Sequence, residues 1–267
     1  MHQRLSRVKS RSAAIRFLLS RAQFKECFAV VNQPGFRNSA LAGLQVAIAA
    51  LVVLPLIELS DFSHLIGFAS LGTLVALFGR FAAPERRGFT VFLCLLCQTA
   101  TVFVMSLVAW LELPMVGQLA ILALLCGTLF YIVTVGDFGP PGALIFIFAA
   151  SVSMGQVDTF ASVLERTTAT AVAAALAWLV VMITDVFRHD TPAAQDWFKS
   201  RPASHKLIAV ARMVLGSAVA AYVAYAFGGQ HAGWAAMGAV AVLQGSHLHI
   251  SMSRALQRTM GNVLGAL

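Results

Sequence analysis

Apolar residues gather along this chain into long runs separated by short polar or basic stretches. A helix needs about 20 apolar residues to cross a bilayer, with about 17 as the lower limit. Runs of that order cover 38–57, 62–79, 89–111, 114–135, 140–156 and 161–187. A polar, proline-containing linker occupies 188–204; two further runs cover 206–227 and 231–249, and a ninth starts near Arg258. The pattern predicts an all-α, polytopic transmembrane helix bundle of about eight complete helices with a ninth truncated. A six-helix unit lies at 37–187, and a second unit opens at 205 and runs to 267. The fifth run is short and opens with Gly139-Pro140-Pro141-Gly142; the eighth is short and rich in glycine. Such interrupted segments are tolerated where neighbouring protein or a water-filled cavity satisfies the freed backbone groups.

The two units share a pattern. Gly67-Phe-Ala-Ser-Leu-Gly72 matches Gly233-Trp-Ala-Ala-Met-Gly238, and Gly79 matches Gly245, all at an offset of 166 residues. Each copy is followed by arginines: Arg86 and Arg87 after the first, Arg254 and Arg258 after the second. Six helices in the first unit bring the second into the membrane in the same direction, so the repeats are expected to be parallel, about an axis along the membrane normal. The second copy reads as incomplete, and the chain as a fragment of the duplicated architecture.

Composition strengthens the membrane reading. Of 267 residues, 59% are hydrophobic and 11% charged, where a soluble domain has about 25% charged. The net charge of +8 raises nucleic acid as a partner, but the cations sit between apolar runs, which is the pattern of membrane topology. Residues 1–36 interleave Arg4, Arg7, Lys9, Arg11, Arg16, Arg21 and Lys25 with apolar positions at helical spacing. That predicts a basic amphipathic helix on the cytoplasmic membrane surface; the plainer reading is a basic tail. The same cations break up any signal-peptide core. With the N-terminus inside, the inner segments collect 17 of the 19 Lys and Arg, while the outer loops hold Glu58, Asp61, Glu112 and Asp158. A multi-pass protein with a cytoplasmic N-terminus is therefore expected. Of four cysteines, Cys94, Cys97 and Cys126 lie within apolar runs, which suits small apolar filler rather than a disulfide framework.

No Gly-x-x-x-x-Gly-Lys-Ser/Thr run occurs, so the chain carries no phosphate-binding loop of its own. No nucleophile–base pair or metal cluster stands out either, and neither enzymatic chemistry nor a cofactor is expected. Ionisable groups within the apolar runs become the functional suspects, because each costs about 2.5–3.5 kcal/mol at the bilayer centre. Arg212, about two turns into its helix, suits a substrate carboxylate, or a side chain snorkelling to the interface. Glu165 and Arg166 lie near the outer end of the sixth run; as neighbours they point about 100° apart and are expected to partner other helices or a transported proton or substrate. His64 and His231 occupy matching outer mouths, where histidine suits proton coupling as well as plain solvation. Asp137, before the Gly-Pro-Pro-Gly turn, suits capping of the fifth helix or a proton relay. Gln45, Gln98, Thr99 and Thr101 are read as interhelical hydrogen-bonding groups, and the repeated glycines as packing contacts.

The terminal stretch has a Trp-containing helix start, a Gln near the helix end, and an Arg-rich loop leading to Arg-x-x-Gly-x-x-x-Gly. Those positions are Trp234, Gln244, Arg254, Arg258, Gly261 and Gly265. In these features it resembles the fusaric acid resistance and aromatic acid exporter family of bacterial inner-membrane proteins. It departs at Gly245, where the family commonly has Pro, and at Asn262, where Thr is common. The resemblance implies efflux of small organic anions, aromatic acids among them, with a periplasmic adaptor protein as a frequent partner; related plant proteins are anion channels. Its expected partners are thus the lipid bilayer, a small organic anion, an adaptor and, for a homo-oligomer, a second copy of the chain. Proton-coupled export is the first expectation, a passive anion channel of the same fold the second, and a non-transporting membrane scaffold the third.

Overall fold

A computed structural model describes residues 36–188, 203–244, 258 and 261. The predicted basic segment before residue 36, most of the 188–204 linker, Arg254 and Gly265 lie outside the described residues. Residues 36–240 fall within one compact unit.

Within residues 36–244, among the described residues, eight α-helices follow the apolar runs: α1 Phe36–Glu58, α2 Ile66–Thr73, α3 Pro84–Trp110, α4 Met115–Gly136, α5 Leu144–Ser153, α6 Phe160–Ile183, α7 Ala203–Ala226 and α8 Ala232–Leu243. Five of them, α1, α3, α4, α6 and most of α7, are long and apolar enough to cross a membrane. The other three are not. At 1.5 Å per residue the 10 residues of α5 span about 15 Å and the 12 of α8 about 18 Å, against a hydrocarbon core of about 30 Å. The run expected at 62–79 is split: 3₁₀ turns at Ser63–Leu65 and Leu74–Leu77 flank the eight residues of α2.

Burial explains how short helices are accommodated. Seven of the ten α5 residues are buried, as are Ala69, Leu71, Gly72 and Thr73 of α2. Leu71, Val102 and Ala149 form one apolar cluster joining α2, α3 and α5, with Phe68, Leu74, Phe148 and Val152 packed against it. The long helices α1 and α7 instead expose leucine, isoleucine and valine, among them Leu44, Leu51, Leu56, Leu207, Ile208 and Leu215. Irregular backbone is thus held inside protein while complete helices face the apolar surroundings, as a bilayer demands.

Glycine sets the closest approaches. A Cβ on Gly72 would lie 2.5 Å from the carbonyl oxygen of Thr170 and 2.8 Å from the backbone nitrogen of Ala174, so α2 and α6 touch backbone to backbone. At Gly127 of α4 the space a Cβ would take is filled by the Val214 side chain of α7. The Tyr222 hydroxyl donates to the Val116 carbonyl (2.9 Å); with Val214 against Gly127, this contact shows α7 running antiparallel to α4. Gly233 of α8 meets Ser151 of α5, whose hydroxyl donates to its carbonyl at 3.1 Å. Of the repeated glycines, Gly67 differs: a Cβ there meets open space.

Candidate functional site

One end of the bundle gathers the starts of α1 and α3 and the end of α6. The chain enters it from α2 through 78–83 and leaves α4 for α5 through 137–143. Both connections are irregular. Gly79 (φ +70°), Asp137 (φ 56°), Gly139 (φ +70°) and Gly142 (φ 74°) adopt left-handed conformations. The Arg80 Nε donates to the Pro140 carbonyl at 3.3 Å, tying the two loops together. Behind them Phe78 stacks on Phe146 with centroids 5.0 Å apart.

This basic end holds the principal buried polar cluster. On α3, Arg87 shares the core stripe with Val91, Cys94 and Gln98, so helical spacing carries it inward while Arg86 faces out. Arg87 Nη1 donates to Asp185 Oδ1 at 2.8 Å and its Nη2 to the Ala82 carbonyl at 3.3 Å. Asp185 stands in a 3₁₀ turn that follows α6, Asp185–Phe187. Its Oδ1 is also 3.4 Å from Nε of Arg188. Arg188 Nη2 donates to Gln45 Oε1 (3.1 Å), and Gln45 Nε2 donates to the Thr184 hydroxyl (2.7 Å). Asn38 Nδ2 donates to the Arg80 carbonyl at 3.3 Å.

Two guanidinium groups therefore share one carboxylate. The arginine side chains are 5% and 0% exposed and Asp185 is 33% exposed, so the acid is the outer member of the group. Arg87 Nε and the Nε and Nη1 of Arg188 are buried with no acceptor in hydrogen-bonding geometry. Burial, then the nearby Arg87 charge, push the Arg188 guanidinium down to about 10 against the pull of Asp185; it remains cationic at neutral pH. Burial also holds the Arg80 guanidinium below its usual value.

At the opposite, acidic end the residues singled out from the sequence meet in part. His64 Nε2 lies 3.4 Å from Glu165 Oε2 in an open setting, 59% and 39% exposed. Arg166 donates to the Gln156 carbonyl (3.2 Å) and lies over the Phe68 ring, 5.0 Å from its centroid. Glu165 and Arg166 thus partner other segments rather than each other, as their helical spacing requires. His231 stacks on Trp234 with centroids 5.5 Å apart, and Trp234 packs edge-on against Phe148. The two histidines that match in sequence have different partners.

Arg212 is exposed on α7, outside both clusters. Asp137 is the left-handed C-cap of α4; α5 starts at Leu144 with Ala143 as its N-cap and no side-chain cap, so Asp137 does not cap α5. The prolines and glycines between them use up the distance. Gln98 bridges helices as expected, its Nε2 donating to the Leu71 carbonyl at 3.1 Å. Gln244 follows the end of α8 and is half-buried, Arg258 is half-buried and helical, and Gly261 is exposed and helical.

Sequence reasoning took Arg87 and Arg188 only as markers of topology and passed over Asp185 and Asn38. The signal for Arg87 was available in its spacing of four, seven and eleven from Val91, Cys94 and Gln98. Nothing comparable marked Arg188, which follows a helix end.

Residues 219–267 match a family model described as fusaric acid resistance protein-like, the family that the C-terminal motif resembles. No curated protein and no solved structure matches the chain. Its apolar helices and this match make it a multi-pass membrane protein.

Proposed function

We propose that the chain is the membrane part of an inner-membrane exporter of small organic acids, aromatic carboxylates foremost, driven by the proton gradient and working with a periplasmic adaptor. The observation that carries this reading is the match of residues 219–267 to the fusaric acid resistance protein-like family. Two features support it. The arginines at the basic end provide an anion-attracting mouth beside irregular, glycine-containing loops, which are the segments of an apolar bundle best able to rearrange. The helix order also suits a duplicated carrier: α7 begins 167 residues after α1, and α8 begins 166 residues after α2.

In this reading the basic end faces the cytoplasm, in keeping with 17 of 19 Lys and Arg on that side. An organic acid enters there as its anion and leaves at the acidic end, where His64, Glu165 and Arg166 form the rim. The test is flux of a panel of aromatic carboxylates through the full-length protein in proteoliposomes, with and without an imposed pH gradient. Accumulation against concentration that collapses with the gradient is expected. Flux indifferent to the gradient would instead make it a passive anion channel, and no flux of any acid a scaffold.

A further inference from the structure

We propose that Arg87 and Arg188 form a carboxylate seat in which Asp185 is a tethered, displaceable stand-in for the transported organic anion. The proposal rests on the exporter reading and assigns the group that reading leaves unnamed.

Three observations carry it. Among the described residues the buried charges do not balance: two guanidinium groups face one carboxylate, leaving one formal positive charge. The donors are not used up either: Arg87 Nε and Arg188 Nη1 have no acceptor, and Arg188 Nε has only Asp185 Oδ1 at 3.4 Å, outside hydrogen-bonding geometry. A purely structural ion pair in a low-dielectric setting is expected to saturate its donors, because each unmet one carries a desolvation penalty. Finally, the carboxylate lies on the accessible side. Asp185 is one-third exposed while the arginines behind it are nearly sealed.

Its position permits exchange. The α6 helix ends at Ile183, and Asp185 belongs to a three-residue 3₁₀ turn rather than to the helix. Releasing Asp185 therefore breaks no α-helical hydrogen bond. Gln45 keeps its grip on Arg188 Nη2 throughout, so the guanidinium stays aimed when its acid partner leaves. Exchanging one carboxylate for another leaves the buried charge unchanged, so the cationic cluster never has to stand alone. Carboxylates are favoured because guanidinium donors match their planar pair of oxygens.

The test measures equilibrium binding of benzoate, with benzamide as the uncharged control, to the full-length protein in phosphatidylcholine liposomes. Asp185→Asn removes the competitor and is expected to tighten benzoate binding about tenfold, equivalent to about 1.4 kcal/mol for one charge-assisted hydrogen bond, and to leave benzamide unchanged. Arg188→Gln and Arg87→Gln are expected to weaken benzoate at least about tenfold. Unchanged or weaker binding in Asp185→Asn overturns the seat. Should that variant fail to fold, hydrogen exchange of the wild type decides. Benzoate is expected to speed exchange at the 184–188 amides, and no change or protection there overturns the proposal. If phosphatidylglycerol liposomes produce the same faster exchange without benzoate, the seat belongs to a lipid headgroup and the proposal fails. Benzoate that binds in this way without crossing refutes the transport reading alone; benzoate that crosses with Asp185→Asn unaltered in binding refutes the seat alone.

Discussion

Gly72→Ala adds one methyl group at the tightest contact between α2 and α6. An ideal Cβ there lies 2.5 Å from the Thr170 carbonyl oxygen, 2.7 Å from Ala173 Cβ and 2.8 Å from the Ala174 nitrogen. Two of those atoms are backbone and cannot rotate aside, so the helices must separate. Separation also stretches the Thr170 hydroxyl bond to the Phe68 carbonyl, now 3.2 Å. Overpacking of this kind costs about 1–3 kcal/mol. Alanine returns about 0.5–1 kcal/mol in helix propensity, leaving a net loss on the order of 1–2 kcal/mol. Gly67→Ala, five residues earlier in the same unit of structure, meets nothing within 4 Å and is expected to gain the propensity term alone. The two substitutions should therefore shift stability in opposite directions. Thermal unfolding of the full-length protein in detergent, followed by tryptophan fluorescence, reads the difference; each kcal/mol corresponds to about 2–4 °C. Trp178 reports on the affected helix, because its indole donates to the Gly88 carbonyl of α3 at 3.0 Å. Equal midpoints for the two variants would refute the backbone-to-backbone contact of α2 with α6.

Other substitutions test other parts of the account. Gly79→Ala combines a left-handed φ of +70° with a Cβ only 2.8 Å from Val91 Cγ2, and is expected to destabilise by about 1–3 kcal/mol in the same melt. Gly127→Leu should loosen α7 from α4, where Val214 already fills the space, and lower the melting temperature more than Gly117→Leu, which faces only Leu113 and Pro114 of its own segment. Gln98→Leu removes the bond to the Leu71 carbonyl but also an Oε1 that has no partner, so stability should change by less than about 1 kcal/mol.

Much of the fold was legible because hydropathy is the dominant constraint on a chain in lipid. Predicted runs such as 114–135 and 161–187 meet α4 (Met115–Gly136) and α6 (Phe160–Ile183) within a few residues. What hydropathy could not show is where a run stops being helix. The 62–79 segment stays apolar through Phe78, yet its helix breaks into 3₁₀ turns before Gly79, whose left-handed backbone ends it. Apolar composition is equally compatible with a spanning helix and a buried half-helix, and tertiary contacts with α3, α5 and α6 decide between them.

The candidate site was less legible, for a different reason. Ionisable groups within apolar runs are the suspects that sequence offers, and they include Arg212, which is exposed on α7. Arg87 and Arg188 stand at helix ends, where cations ordinarily mark topology, and only the convergence of α1, α3 and α6 shows them buried together. His64 and Glu165 were identified separately; their proximity depends on the packing of α2 against α6 and has no counterpart in sequence spacing.

The central claim is that this membrane protein recognises and carries small organic acids by their negative charge. The most direct measurement compares benzoate with its neutral near-isostere benzamide, as protein-dependent flux through the full-length protein in liposomes. Benzoate flux well above the protein-free background, with benzamide at background, is the predicted result; equal protein-dependent flux of the two would contradict the account.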